Sequence, residues 1–195
     1  METTMSFFLK LSAWIDTLNT RVGKLTTWLI LITTLISAGN AIVRKLFDTS
    51  SNALLEVQWY IFAGVFLLGA AYGLLQNSHV RIDFISSRLS ARTRNWIDVG
   101  GIVVALIPFC VLSIYLSWPL FMQAYVSGEM SQNAGGLIRW PAYALIPAGF
   151  FLLALQGVSE LIKRLAFLTG QGKDSLAETE ETEDESEIKL MAHGD

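Results

Sequence analysis

Histidine, cysteine and clustered carboxylates are the side chains most able to do chemistry, and this sequence offers few that could act together. It has two histidines, His79 and His193, and one cysteine, Cys110. A haem held inside a helical bundle would need ligands facing each other across it. His79 falls between two apolar runs and His193 near the last residue, so no such pair is available. One Cys with two distant His makes no zinc site. Cys110 sits in an apolar run and reads as a small core residue. There is no phosphate-cradling glycine loop followed by Lys. No Ser, His and Asp gather where a membrane protease would hold them. The expectation is no catalytic residue, no metal, no cofactor and no enzyme activity.

The solvent for most of this chain is lipid. Of its residues 52% are hydrophobic and 16% charged, where a soluble domain carries about a quarter charged. The net charge of -3 hides an uneven distribution. Residues 174–195 hold nine of the 17 acidic side chains. Residues 1–172 hold 12 Lys/Arg against 8 Asp/Glu, a net +4.

Charges divide the sequence into four windows. Lys24 and Arg44 bracket 19 uncharged residues, and Glu56 and Arg81 bracket 24. Asp98 and Glu129 bracket 30, and Arg139 and Glu160 bracket 20. About 20 apolar residues cross the hydrocarbon layer as a helix, and one charge in mid-span costs roughly 2.5–3.5 kcal/mol. The reading is an all-α membrane protein with four transmembrane helices, at about 25–43, 57–78, 96–120 and 141–162, within a domain 25–169. The segments carrying Lys10, Arg21, Lys24, Arg81, Arg88, Arg92, Arg94, Lys163, Arg164, Lys173 and Lys189 share one side, 11 cations against three on the other. Both termini are therefore expected in the cytoplasm.

The connecting segments add detail. Residues 1–24 are expected as an amphipathic interfacial segment. Phe8, Leu11, Ile15, Leu18 and Val22 recur at steps of three and four, with Lys10, Asp16 and Asn19 elsewhere on the wheel. The alternative is that this helix extends the first span. After the second span, Asp83 can cap a short cytoplasmic amphipathic helix bearing Phe84, Ile85 and Leu89, and Ser90 can cap the next helix. Arg88, Arg92 and Arg94 are expected to anchor on lipid headgroups. Arg81 and Asp83 fit either that role or a docking strip. Gly69 and Gly73, four apart, permit close approach of another helix. Glu56 is either an end-of-helix anion or the partner of a foreign cation. Pro108 and Pro147 lie within spans and can kink them. Residues 127–140 form a turn-rich polar cap, and residues 170–195 an acidic cytoplasmic tail expected to be disordered.

Three stretches carry a family resemblance. Glu56-Val57-Gln58-Trp59-Tyr60 opens the second span, and His79-Val80-Arg81-Ile82-Asp83 follows it. Asn133-Ala134-Gly135-Gly136-Leu137-Ile138-Arg139-Trp140-Pro141 precedes the fourth. With the four-span layout over roughly 1–170, the chain resembles the small permease subunit (the Q subunit, DctQ-like) of tripartite ATP-independent periplasmic (TRAP) transporters. The resemblance implies a bacterial inner-membrane protein with two protein partners. One is a large membrane subunit that moves an organic acid or related solute by sodium-driven symport. The other is a periplasmic binding protein that delivers the solute. The small subunit packs against the large one and needs no nucleic acid. Its contact residues would be Glu56, Gln58, Trp59, Gly69, Gly73, His79, Arg81 and Asp83. On the residues alone, two other classes stay open: an autonomous homo-oligomeric carrier or channel, and a membrane anchor for a respiratory enzyme. The first calls for ionisable groups at mid-span and the second for a bound chromophore.

Overall fold

The computed structural model of the chain describes residues 2–48, 51–77, 89–172 and 174, with side chains from Met5 onward. Helix α1 runs Glu2–Phe47 and α2 Asn52–Leu75. Helix α3, Ala91–Gly101, passes through a π-helical turn, Ile102–Leu106, into α4, Ile107–Ser127. Helix α5 is Trp140–Leu168. Among the described residues four helices, counting α3 to α4 as one, are long and apolar enough to cross a membrane. Spans 25–43, 96–120 and 141–162 lie inside them, and 57–78 runs past the end of α2.

The elements follow from their sequences. No proline interrupts residues 2–47, so α1 is one rod of about 69 Å at 1.5 Å per residue. Residues 5–22 are helical, as their periodicity suggests, but they are the first turns of α1 and not a separate helix. Ser90 caps α3, accepting from the Thr93 N–H at 3.2 Å, as the sequence suggests. Pro108 cannot donate to the carbonyl of residue 104, and its ring crowds that carbonyl. The wider turn just before it, with the Ile107 N–H on the Ile102 carbonyl, relieves the crowding. Gly128, at φ 63°, ends α4 in the left-handed conformation glycine accepts readily.

Helix α5 lies at the centre of the bundle, packed on α1, α2, α3 and α4, and α1 also packs on α2. One end of the bundle carries the start of α1 and the end of α5 (the terminal end). The other carries the α1–α2 connection and residues 128–139 (the loop end).

Burial is inverted relative to a water-soluble bundle. Trp28, Phe66, Val104, Tyr115 and Val126 are 65–79% exposed. Most buried positions are small or polar: Ala71, Cys110, Ala124 and Ala166, with Ser12, Asn19, Asn95, Gln156, Ser159, Glu160 and Arg164; Ile15 and Ile102 are the large apolar side chains among the described residues that are buried with them. Water would oppose so large an apolar surface; lipid accepts it, and leaves close packing and polar contacts to join the helices. The closest backbone approach sits at Gly149, where a Cβ would lie 2.7 Å from the Leu67 carbonyl oxygen of α2. A Cβ at Gly23 would collide with Tyr72. Gly69 makes only an ordinary contact, with Thr26 Oγ1 at 3.7 Å, and Gly73 has nothing within 4 Å. Close contacts within the chain thus fall at glycines other than the pair singled out in the sequence.

Candidate functional site

At the loop end, one carboxylate organises the connection between α4 and α5. The second turn of α2 places Glu56 beneath residues 128–139, where it is 4% exposed. The Leu137 N–H donates to its Oε2 at 2.6 Å. Asn133 Nδ2 donates to Oε1 at 2.7 Å, and the Ser131 hydroxyl donates to the same oxygen. Neighbouring α2 residues hold the same loop: Asn52 Nδ2 donates to the Ala134 carbonyl at 2.9 Å, and Tyr60 to the Ile138 carbonyl at 3.3 Å. The loop closes on itself through Ser131 N–H to Leu137 O at 2.8 Å and Arg139 N–H to Glu129 O at 2.9 Å. An Arg139–Glu129 ion pair at 2.6 Å adds to it, and this bond holds the Arg139 guanidinium above its ordinary range. Gly136 is obligatory here, since a Cβ would fall 2.6 Å from Ser131 Cβ and 2.9 Å from Glu56 Oε1. The tip, Gln132–Gly135, stays exposed. Glu56 is therefore a clasp for the chain's own loop, with both oxygens engaged.

Near this clasp, an open crevice of about 340 Å³ lies between α1 and α2, lined by Thr33, Thr34, Ser37, Gln58, Trp59 and Phe62. Gln58 Nε2 is buried there without a hydrogen-bond partner, and Trp59 is 64% exposed.

At the terminal end lies a second cluster, which sequence reasoning missed. From α1 come Ser12, Asp16 and Asn19; from α5, Gln156, Ser159, Glu160, Lys163 and Arg164; from α3, Asp98. Ser159 Oγ donates to Asp16 Oδ1 at 2.7 Å and lies 2.7 Å from Ser12 Oγ. Gln156 Nε2 donates to Asp16 Oδ1 at 2.9 Å and to Glu160 Oε1 at 3.1 Å, and Gln156 Oε1 accepts from Asn19 Nδ2 at 2.7 Å. Lys163 pairs with Asp16 at 3.2 Å and with Glu160. Arg164 bridges Glu160 at 2.5 Å and Asp98 at 3.0 Å. Glu160 and Arg164 are 1% and 2% exposed. The sequence reading used Asp98 and Glu160 to mark span ends and Lys163 and Arg164 to set orientation, and placed Asp16 and Asn19 only off the apolar face of an interfacial helix. The available signal was periodic: Gln156, Ser159/Glu160 and Lys163/Arg164 form one stripe on α5, and Ser12, Asp16 and Asn19 a matching stripe on α1.

Other predicted residues divide simply. Arg92 is exposed, and its Nη2 donates to the Leu168 carbonyl at 3.4 Å. Arg94 is half-buried. His79, Arg81, Asp83 and Arg88, the short helix expected after Asp83, and nearly all of the acidic tail lie outside the described residues. Among the described residues no group of three His, Cys, Asp or Glu could hold a metal ion. The ends of the bundle thus carry polar clusters engaged within the chain, between outward surfaces that are apolar.

Residues 33–167 match the family model for the DctQ component of tripartite ATP-independent periplasmic transporters. The chain belongs to this family. No curated protein and no solved structure matches it. As a DctQ component it is a membrane subunit of a tripartite transporter, from a family that serves transport and not catalysis. The matched segment takes in Glu56, the loop it clasps, and Glu160 and Arg164. It leaves out Ser12, Asp16 and Asn19, the α1 half of the terminal-end cluster.

Proposed function

We propose that this chain is the stationary scaffold subunit of a sodium-coupled symporter, holding the large permease subunit while that subunit carries an organic acid or related solute. One observation carries the reading. The polar clusters at the two ends are bound up within the chain, while the broad outward surfaces are apolar and suit a partner or lipid. A moving carrier needs ionisable groups along its transport route; a scaffold needs packing faces. Gln58 and Trp59 at the crevice, with Gly69 and the open Gly73, form the contact face for the large subunit. Glu56 acts there through the loop it shapes, and the segment with His79, Arg81 and Asp83 completes the contact. The rigid loop tip 132–135 faces the periplasm and meets the solute-binding protein. The chain sits in a bacterial inner membrane with both termini cytoplasmic, and Arg88, Arg92 and Arg94 rest on headgroups.

Affinity purification of the tagged chain from its native membrane tests this. The expected result is capture of one large multi-span partner, with solute uptake in liposomes only when both are present with the binding protein. Solute flux by the chain alone would refute it in favour of an autonomous carrier. A haem or quinone absorbance in the purified complex would favour a respiratory anchor.

A further inference from the structure

The chain turns back on itself as it leaves α5. Gly170, at φ 74°, donates its N–H to the Phe167 carbonyl at 3.0 Å, and the Gln171 N–H reaches the Ala166 carbonyl at 2.9 Å. This closure points the backbone away from the helix axis. Gly172 then lies close against α5, where a Cβ would fall 3.0 Å from Ala166 Cβ. Asp174, the first acid after α5, accepts a hydrogen bond from Asn95 Nδ2 at 3.1 Å, and Asn95 on α3 is 0% exposed. The root of the acidic tail is thereby seated on α3, one turn from Arg92 and beside Arg94 in the chain. Lys10, Arg21 and Lys24 lie exposed along the first half of α1.

Residues 175–195 carry eight Asp/Glu and one Lys. At about 3.3 Å per residue they reach up to about 70 Å, more than enough to cross the end of the bundle. Tethering keeps the segment at an effective local concentration in the millimolar range.

We propose that residues 175–195 dock in cis on the basic surface of the terminal end, with Arg92 and Arg94 as their main cations and Asp174 on Asn95 as their root. The docked tail covers arginines that would otherwise hold anionic lipid headgroups, so anionic lipid and tail compete for one surface. This holds whatever the transported solute or large partner.

The test uses the full chain in nanodiscs of zwitterionic lipid and a glutamate-specific protease, with cleavage rates normalised to a free peptide of residues 175–195. At about 0.01 M salt, where the Debye length is about 30 Å, the tail should be cut about ten-fold more slowly than at about 1 M salt, where it is about 3 Å. Arg92→Gln with Arg94→Gln should remove the low-salt protection, and Arg92→Lys with Arg94→Lys should keep most of it. Adding phosphatidylglycerol should speed cleavage of the wild-type tail. The salt comparison needs no substitution and so does not depend on a variant folding. Normalised cleavage that ignores salt in zwitterionic discs overturns the proposal, and so does protection that arises only when anionic lipid is present.

Discussion

Glu160 and Arg164 sit in one cluster, but their removal should not cost the same. The cluster holds three carboxylates (Asp16, Asp98 and Glu160) and two cations (Lys163 and Arg164), a net charge of -1. Glu160→Gln brings that to zero. Lys163 keeps Asp16 at 3.2 Å, Arg164 keeps Asp98 at 3.0 Å, and the amide can still bond to its neighbours. Arg164→Met takes the net charge to -2 and leaves Glu160, 1% exposed, with the Lys163 cation and the Gln156 amide but without its arginine. Breaking a buried pair costs about 3–5 kcal/mol, because a charge is left uncompensated in a poor solvent for it. The glutamate change should fall at about 3 kcal/mol or below and the arginine change at about 5 kcal/mol. Equilibrium denaturation in detergent micelles, followed by tryptophan fluorescence, measures both. The double variant should cost less than the two single changes added together, because each removes part of what the other loses. Equal costs, a costlier glutamate change, or losses below about 1 kcal/mol in both would show that water screens the cluster and would refute this account.

Glu56→Ala should release the loop without unfolding the bundle. Hydrogen exchange at the Leu137 amide should speed up by about ten-fold or more while α5 amides hold their protection; an unchanged Leu137 rate would show that the loop holds itself. Gly149→Leu should push α2 from α5 at the Leu67 carbonyl and cost about 1–3 kcal/mol or more by overpacking, read as a lower denaturation midpoint. Gly73→Leu should leave the isolated chain's stability within about 0.5 kcal/mol, since the site is open, yet lower recovery of the large subunit in affinity purification. Full recovery would move the contact face off Gly73.

What the sequence made legible was set by the bilayer. Long windows without charge have one outcome in lipid, so the four crossing helices follow from Lys24, Arg44, Glu56, Arg81, Asp98, Glu129, Arg139 and Glu160 alone. Ser90 as a cap was equally local, because a hydroxyl three residues before a free N–H needs no tertiary information. The terminal-end cluster was not local. Asp16 belongs to a stripe that suits headgroups as well as another helix, and only the pairing of α1 with α5 decides between them. The apolar set led by Phe8 and Leu11 suggested a helix lying flat. In the folded chain those two face outward from a longer rod, and Asp16 and Asn19 turn inward. Glu56 was visible as a notable residue, but its ligands lie 75 to 81 positions away, in the loop before α5.

Why the chain concentrates its charges at the two ends follows from how helices associate in lipid. There is no hydrophobic gain in bringing two greasy rods together, so association rests on close packing and on polar bonds that lipid cannot offer. Here Gly149 against Leu67 supplies packing between α2 and α5, and small residues such as Ala71, Cys110 and Ala124 fill the interior. Neither sets the axial register strongly, since small side chains slide past each other at little cost. The end clusters do set it. A slip of α1 by one turn, about 5.4 Å, would carry Asp16 out of reach of Ser159, Gln156 and Lys163 and leave Glu160 and Lys163 to rebalance in a buried site. A matching slip of α2 would pull Glu56 from Leu137. Anchoring each end by bonds of defined geometry yields a body whose outer surface keeps a fixed shape, and a fixed shape is what a scaffold contributes to a neighbour that must move.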